Sequence, residues 1–133
     1  MATWLIALTD EARRALKGDQ RVIDEFPFKV GRESRTASGV WTSGERRVGQ
    51  APQLNDVYLV DVADVLNVSR EHFQIEAEAD RFFLTDRGSA CGTLVEGRKV
   101  GGNRTRERVE LRDHDVIVVG TASSPYVFKF RTG

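Results

Sequence analysis

The sequence has very little cysteine and no long apolar run. Cys91 is its single cysteine, so no internal disulfide can form and nothing indicates an oxidising compartment. The apolar run at residues 4–8 is short, has no basic residue before it and is followed by Asp10 and Glu11. It therefore predicts neither a signal peptide nor a membrane span, and we expect a cytoplasmic protein that does not engage a membrane.

An excess of charge of one sign is also lacking. The chain has 20 Lys and Arg against 20 Asp and Glu, so its formal net charge is zero. Nothing pulls the whole molecule toward nucleic acid or an anionic membrane, and any basic site must be a local patch. The arginines at positions 35, 46, 47, 104, 106 and 108 have acidic neighbours, so we interpret them as solvated turn residues and expect no nucleic-acid partner.

The sequence also lacks closely spaced pairs of residues that could bind a metal ion. Cys91, His72 and His114 are scattered along the chain without paired-ligand spacing, so we expect no metal and no cofactor.

Short strand patterns recur along the chain, and no helical period is sustained. Turn residues separate the predicted strands at 4–8, 26–30, 57–60, 73–76, 81–85, 93–95, 109–111, 116–119 and 126–130. Many short strands in 133 residues indicate one all-β domain, a sandwich or barrel, over 1–133. Residues 12–17 are compatible with one helical turn, too short and too poorly capped to matter.

One long segment interrupts the strands. Residues 33–56 are rich in Ser, Thr, Gly, Gln and Arg, contain a lone Trp41 and show little alternation. Loops of this length are uncommon in compact domains and are usually functional or disordered. We therefore predict an inserted loop here.

Signatures at three places follow one another between the strands. Gly31-Arg32 directly follows one strand, residues 69–72 (Ser-Arg-Glu-His) precede another, and residues 86–93 (Asp-Arg-Gly-Ser-Ala-Cys-Gly-Thr) lead to a small turn at 96–97. A phosphorylated side chain carries nearly two negative charges and three acceptor oxygens. Guanidinium groups, hydroxyls and backbone N–H groups on loops at one end of a scaffold can bind it.

These signatures, in this order, resemble the forkhead-associated (FHA) domain family. The resemblance implies a β-sandwich of two antiparallel or mixed sheets, FHA/SMAD-like, with binding loops at one end. It also implies a non-catalytic module that binds a phosphothreonine-containing protein or peptide in Ser/Thr-kinase signalling. We expect the protein to be a monomer.

The resemblance also implies roles for individual residues. The phosphopeptide-binding residues would be Arg32, Ser69, Arg70, Ala90 and Cys91. The residues supporting the site would be Gly31, His72, Gly92 and Thr93. The chain departs from the family at Ala90 and Cys91, because members commonly have Thr or Ser followed by Asn at these positions.

Two other interpretations stay open. The same fold can serve as a phosphate-independent protein-interaction module. A cysteine hydrolase is a distant third, because Cys91, His72 and an acid such as Asp86 are the residue types of a nucleophilic triad.

Overall fold

The computed structural model describes residues 2–33, 55–60 and 68–133. Of the loop predicted at 33–56, residues 34–54 lie outside the described residues, and Trp41 and the arginines at 35, 46 and 47 lie outside with them. In chain order the elements are β1 (Thr3–Ala7), α1 (Asp10–Leu16), β2 (Gln20–Val22), β3 (Phe28–Arg32), β4 (Val57–Leu59), β5 (Phe73–Glu78), β6 (Arg81–Asp86), β7 (Thr93–Val95), β8 (Arg98–Val100), β9 (Arg108–Leu111), β10 (Val116–Val119) and β11 (Val127–Thr132).

The strands form two sheets that share one core. One sheet has six strands in the order β2-β1-β11-β10-β7-β8, and the other has five in the order β4-β3-β5-β6-β9. The pair β3–β4 is parallel and the remaining pairs are antiparallel. The predicted all-β sandwich with antiparallel or mixed sheets is therefore confirmed.

Alternating side chains build the core. In β11, Phe128 and Phe130 are fully buried, while Val127 before them and Lys129 between them stay partly exposed. Phe73, in the facing sheet, is fully buried in the same core. Period-two burial of this kind is what fixes strand register, because a slip of one residue would turn the aromatic rings outward.

The prediction of a poorly capped, negligible turn at 12–17 is wrong. Helix α1 is short, but the Thr9 hydroxyl accepts the Ala12 N–H at 3.2 Å and Lys17 closes it in the left-handed conformation at φ 59°. The helix buries Ala12 and Leu16 against the core, so packing retains it despite its length. Within the described part of the chain, no helix is long and apolar enough to cross a membrane.

Strands β2 and β8 are absent from the sequence prediction. All three residues of β2 are exposed, and β8 buries only Val100. Each is an edge strand held by backbone pairing to one neighbour, so it needs no alternating apolar pattern.

The two ends of the sandwich differ. One end, called the site end below, is where three strands finish (β3, β6 and β8) and three others begin (β5, β7 and β9). The register pairs Phe73↔Asp86 and Thr93↔Val100 lie at this end. The chain ends lie at the other end, where the Ala2 N–H donates to the Gly133 carbonyl at 3.2 Å and the Gly133 N–H returns to Ala2 at 3.0 Å.

Candidate functional site

Strand ends position the residues of the sequence signatures. Arg32 ends β3, and the 68–72 loop leads into β5 beside it. The 87–92 loop connects β6 to β7, and the 101–107 turn connects β8 to β9. Because these connections emerge at one end, their side chains converge on one edge of the sandwich.

Arg32 is bound to the 68–72 loop through both backbone and side chain. Its N–H donates to the Ser69 carbonyl at 2.9 Å, and its Nη1 donates to the Val68 carbonyl at 3.0 Å. Arg32 is half-buried as a residue, and within the described residues the bond to Val68 is the one hydrogen bond of its guanidinium. A guanidinium has five N–H donors, so four remain for a ligand.

Gly31 permits this close approach. A Cβ at Gly31 would lie 2.0 Å from the Arg70 carbonyl oxygen and 2.7 Å from the Asn55 side-chain amide. No side chain fits there, so glycine at this position lets the 68–72 loop lie against β3. The Arg70 side chain itself is exposed on that loop.

His72 connects the two loops from inside. It is fully buried, its Nδ1 accepts the Ser69 N–H at 2.9 Å, and its Nε2 donates to the Gly92 carbonyl at 2.7 Å. These partners require the tautomer with the proton on Nε2. The Arg87 N–H also donates to the His72 carbonyl at 2.9 Å, so His72 holds the 68–72 and 87–92 loops together.

Ser69 lies at the junction of these loops. Its hydroxyl oxygen accepts the Ala90 N–H at 3.1 Å and keeps its own O–H to donate. Ala90 is exposed and Cys91 half-buried, so both line the edge beside Ser69.

Gly92 and Thr93 lie behind the edge. Gly92 is buried at φ 79°, and a Cβ there would lie 3.1 Å from the Val100 and Gly101 carbonyl oxygens. Thr93 starts β7 and is fully buried, and within the described residues its hydroxyl has no partner.

Asp86 and Ser89 organise the 87–92 loop, and the sequence interpretation missed this role. The Asp86 carboxylate is fully buried and accepts the Gly88 and Ser89 N–H groups at 2.8 and 2.9 Å. The Ser89 hydroxyl donates to Asp86 and accepts the Gly92 N–H at 3.0 Å. An Asp that bonds the backbone two and three residues onward is a known turn pattern, which Asp-Arg-Gly-Ser displays.

Asn55 and Arg87 hold the 68–72 loop in place through side-chain hydrogen bonds. The Asn55 side chain donates to the Arg70 carbonyl at 2.8 Å and accepts from Arg87 at 2.5 Å. Arg87, whose side chain is 6% exposed, also bonds Glu71 at 3.0 Å. Burial lowers the pKa of Arg87, an effect that the Glu71 carboxylate opposes. No local sequence signal distinguishes these residues from ordinary turn residues.

The triad interpretation fits this geometry poorly. Both ring nitrogens of His72 bond backbone groups, and the Asp86 carboxylate bonds the 87–92 loop. Within residues 2–33, 55–60 and 68–133, no group of three or more His, Cys, Asp or Glu could hold a metal ion.

Solved structures of known proteins share this architecture. The FHA domain of CT664 from Chlamydia trachomatis matches with a TM-score of 0.64 and 21% identity, covering 100% of this chain and 99% of that one. The kinase-interacting FHA domain of the phosphatase KAPP from Arabidopsis gives 0.62 and 23%, covering 98% and 92%. EmbR from Mycobacterium tuberculosis, in complex with a phosphopeptide, gives 0.57 and 21%, and the match covers 98% of this chain and 24% of EmbR.

The fold and the edge built by its loops define a β-sandwich recognition domain. The family model of the FHA domain matches residues 46–120, more than half of the sequence. The chain belongs to the FHA family, as its three signatures predict. Among curated proteins, a sequence search finds no match.

Proposed function

We propose that this domain binds phosphothreonine-containing proteins at the edge formed by Arg32, Ser69 and Arg70. The observation that carries the proposal is the pair of hydrogen bonds that fixes Arg32 against the 68–72 loop. A guanidinium, a hydroxyl and a second exposed arginine then lie on adjacent backbone segments. These are the groups that bind a phosphate dianion.

Rigidity of the edge also favours recognition of an anion. Gly31, His72 and Gly92 hold the loops through backbone contacts, so the donors are in place before a ligand arrives. A site ordered in advance binds with a smaller loss of conformational entropy.

The relatives support the same ligand class. The EmbR structure is a complex with a phosphopeptide, and the KAPP domain is described as kinase-interacting. A partner phosphorylated by a Ser/Thr kinase would supply the phosphothreonine here. We extend the proposal to one recognition domain over the chain, acting as a monomer in the cytoplasm without catalysis.

Substitution of Arg32 tests the site. Removing one partner of a partly desolvated charge pair costs about 2–5 kcal/mol. Arg32→Ala should therefore weaken phosphopeptide binding by about thirty-fold or more. Calorimetry with matched Thr, phosphoserine and phosphothreonine peptides measures this. The control is Arg112→Ala, an exposed arginine at the opposite end. Undiminished binding by Arg32→Ala would show that the phosphate is bound elsewhere.

The second candidate is phosphate-independent binding at the same edge. It is favoured by Ala90, which is exposed beside Ser69 where the family pattern has a hydroxyl residue. Equal affinity for the Thr and phosphothreonine peptides, with both lost in Arg32→Ala, would support this candidate over the first.

A further inference from the structure

A second group of cations lies beside the proposed phosphate site. Residues 98–106 contain four basic side chains and no acidic one. Arg98 is at the far end of the sandwich, while Lys99, Arg104 and Arg106 lie toward the site end and are exposed. We call these last three residues the basic turn.

Backbone hydrogen bonds attach the basic turn to the 87–92 loop. The Asn103 N–H donates to the Ala90 carbonyl and the Arg104 N–H to the Ser89 carbonyl, each at 2.9 Å. Ala90 in turn donates its N–H to Ser69. Ala90 thus bonds Ser69 through its N–H and Asn103 through its carbonyl. These two bonds and the length of one residue place the Ser69 Oγ about 10 Å or less from the Asn103 nitrogen.

Side-chain positions bring the other cations to the same loop. A Cβ built on Gly102 serves as a reference point between Lys99 and the loop. It would lie 3.1 Å from the Lys99 Nζ and 3.6 Å from the Cys91 carbonyl carbon. An Arg106 guanidinium nitrogen lies 3.9 Å from the corresponding point on Gly88. The 87–92 loop therefore has Arg32 and Arg70 near one side and the basic turn near the other.

None of the described carboxylates pairs with the basic turn. Within the described part of the chain, Lys99, Arg104 and Arg106 form no ion pair. Exposed arginines elsewhere do pair, as Arg81 does with Glu110 and Arg108 with Glu78. The nearby Glu107 carboxylate accepts the Gly101 N–H at 2.9 Å.

Arg104 is the second central residue of a tight two-residue turn. It has φ 62° and follows Asn103 at 51°, in the left-handed region that most side chains avoid. The hydrogen bonds to Ser89 and Ala90 impose this geometry. The bridge between Gly102 and Thr105 closes this two-residue turn, so the backbone that carries Arg104 is fixed beside the 87–92 loop.

We propose that the basic turn is a second anion-binding subsite, selecting phosphopeptides that carry a further phosphate or acidic side chains a few residues from the phosphothreonine. This inference rests on the proposed function. The short separation from Ser69 suits one extended peptide, whereas a nucleic acid needs a longer basic track. Beyond the basic turn, Arg108 is already paired with Glu76 and Glu78.

The experiment measures an acidic preference, defined as the ratio of two Kd values. One peptide has phosphothreonine with neutral flanks. The others add a phosphoserine or two glutamates at successive positions on either side. The proteins compared are the unmodified domain, the Arg104→Gln/Arg106→Gln double variant and, as the matched control, Arg112→Gln. Exposed ion pairs are individually weak, so we expect a preference of about three- to ten-fold at low salt.

In support, the preference should be clearly reduced in the double variant, which keeps only Lys99 of the basic turn, should fall to near one at high salt, and should persist in Arg112→Gln. A preference retained by the double variant, or none in the unmodified domain, would overturn the subsite while leaving phosphothreonine binding intact. An oligonucleotide that binds through these arginines more tightly than any peptide would also overturn it. Equal affinity for the matched Thr and phosphothreonine peptides of the Arg32 test would overturn the proposed function and this inference together.

Discussion

Ser69 and His72 share one short loop, yet their contacts assign them different tasks. Ser69→Ala removes a hydroxyl that lies at the edge but keeps the N–H bonded to His72, so affinity should fall while the fold stays intact. His72→Ala leaves the Ser69 N–H and the Gly92 carbonyl without their partner, which costs at least about 2 kcal/mol. Its melting temperature should drop by roughly 6 °C or more.

Thermal melts and phosphopeptide titrations of both variants separate these tasks. Ser69→Ala is the internal control for the loop. Full stability of His72→Ala together with lost binding would instead make His72 a direct ligand contact.

Cys91 stands where members of the family commonly have Asn, and replacing it tests whether this position contacts the peptide. Asn at this position should add a hydrogen bond to the peptide backbone, worth about 0.5–1.5 kcal/mol. Cys91→Asn should therefore bind phosphopeptide a few-fold to about ten-fold more tightly. Titration of the variant against the parent measures this, with Cys91→Ser as the control for loss of the thiol. Unchanged affinity in Cys91→Asn would remove Cys91 from the proposed contact set.

At the scale of elements, the outer face of β5, β6 and β9 forms one charged cluster. Phe83 lies between two guanidinium groups, Arg108 at 3.8 Å and Arg81 at 5.2 Å from its ring centroid. A hydrogen bond from Arg108 lowers the pKa of Glu78, and one from Arg81 lowers the pKa of Glu110.

These shifts predict how stability depends on pH. Each glutamate has a lower pKa folded than unfolded, so the unfolded state binds more protons as acid is added. The contribution of these two glutamates to folding stability should be complete above their unfolded pKa of about 4.5. It should be lost as the pH falls through their lower pKa values in the folded state. Because these carboxylates are at the surface, the effect should be small and reduced by salt.

Thermal melts between about pH 6 and pH 3 measure this dependence. Glu78→Gln/Glu110→Gln should flatten the acid limb, whereas the exposed Glu25→Gln should not. Identical acid limbs in all three proteins would show that the cluster does not contribute.

How far the sequence predicts the fold depends on the element. β11 was readable because burial alternates along it, whereas β2 and β8 depend on pairing to a neighbour that no local pattern encodes. The sequence prediction underestimates helix α1 because the burial of Leu16 in the core is a tertiary fact, although Thr9 before Asp10 and Glu11 is a local N-cap signal.

The candidate site shows the same division. Arg32, Ser69 and His72 stand in recognisable signatures, so their convergence could be expected. Asn55 and Arg87 meet across 32 positions of sequence, and only the folded chain brings them together.

For the whole molecule, the two sheets are joined at the end that carries the candidate site by contacts that cross between them. His72, beside β5 of the five-stranded sheet, bonds Gly92 beside β7 of the six-stranded one. Asp86, at the end of β6 in the five-stranded sheet, packs against Gly101, which follows β8 in the six-stranded sheet. A Cβ on Gly101 would lie 2.3 Å from the carboxylate carbon of Asp86. Closure of the sandwich and the proposed phosphopeptide site therefore depend on the same few groups.

The pairing of Ala2 with Gly133 makes the chain a candidate for circular permutation. A short Gly-Ser linker can join these residues, and new ends can be opened between Ala79 and Asp80. That turn is exposed and lies at the same end as the old termini, with Ala79 at φ 57°. Such openings are usually tolerated at exposed turns. We expect the permutant to keep the parent's phosphopeptide affinity while melting at a lower temperature, and lost affinity in a folded permutant would show that the far end influences the edge. A reporter domain attached at the new ends would then stand at the opposite pole from the ligand.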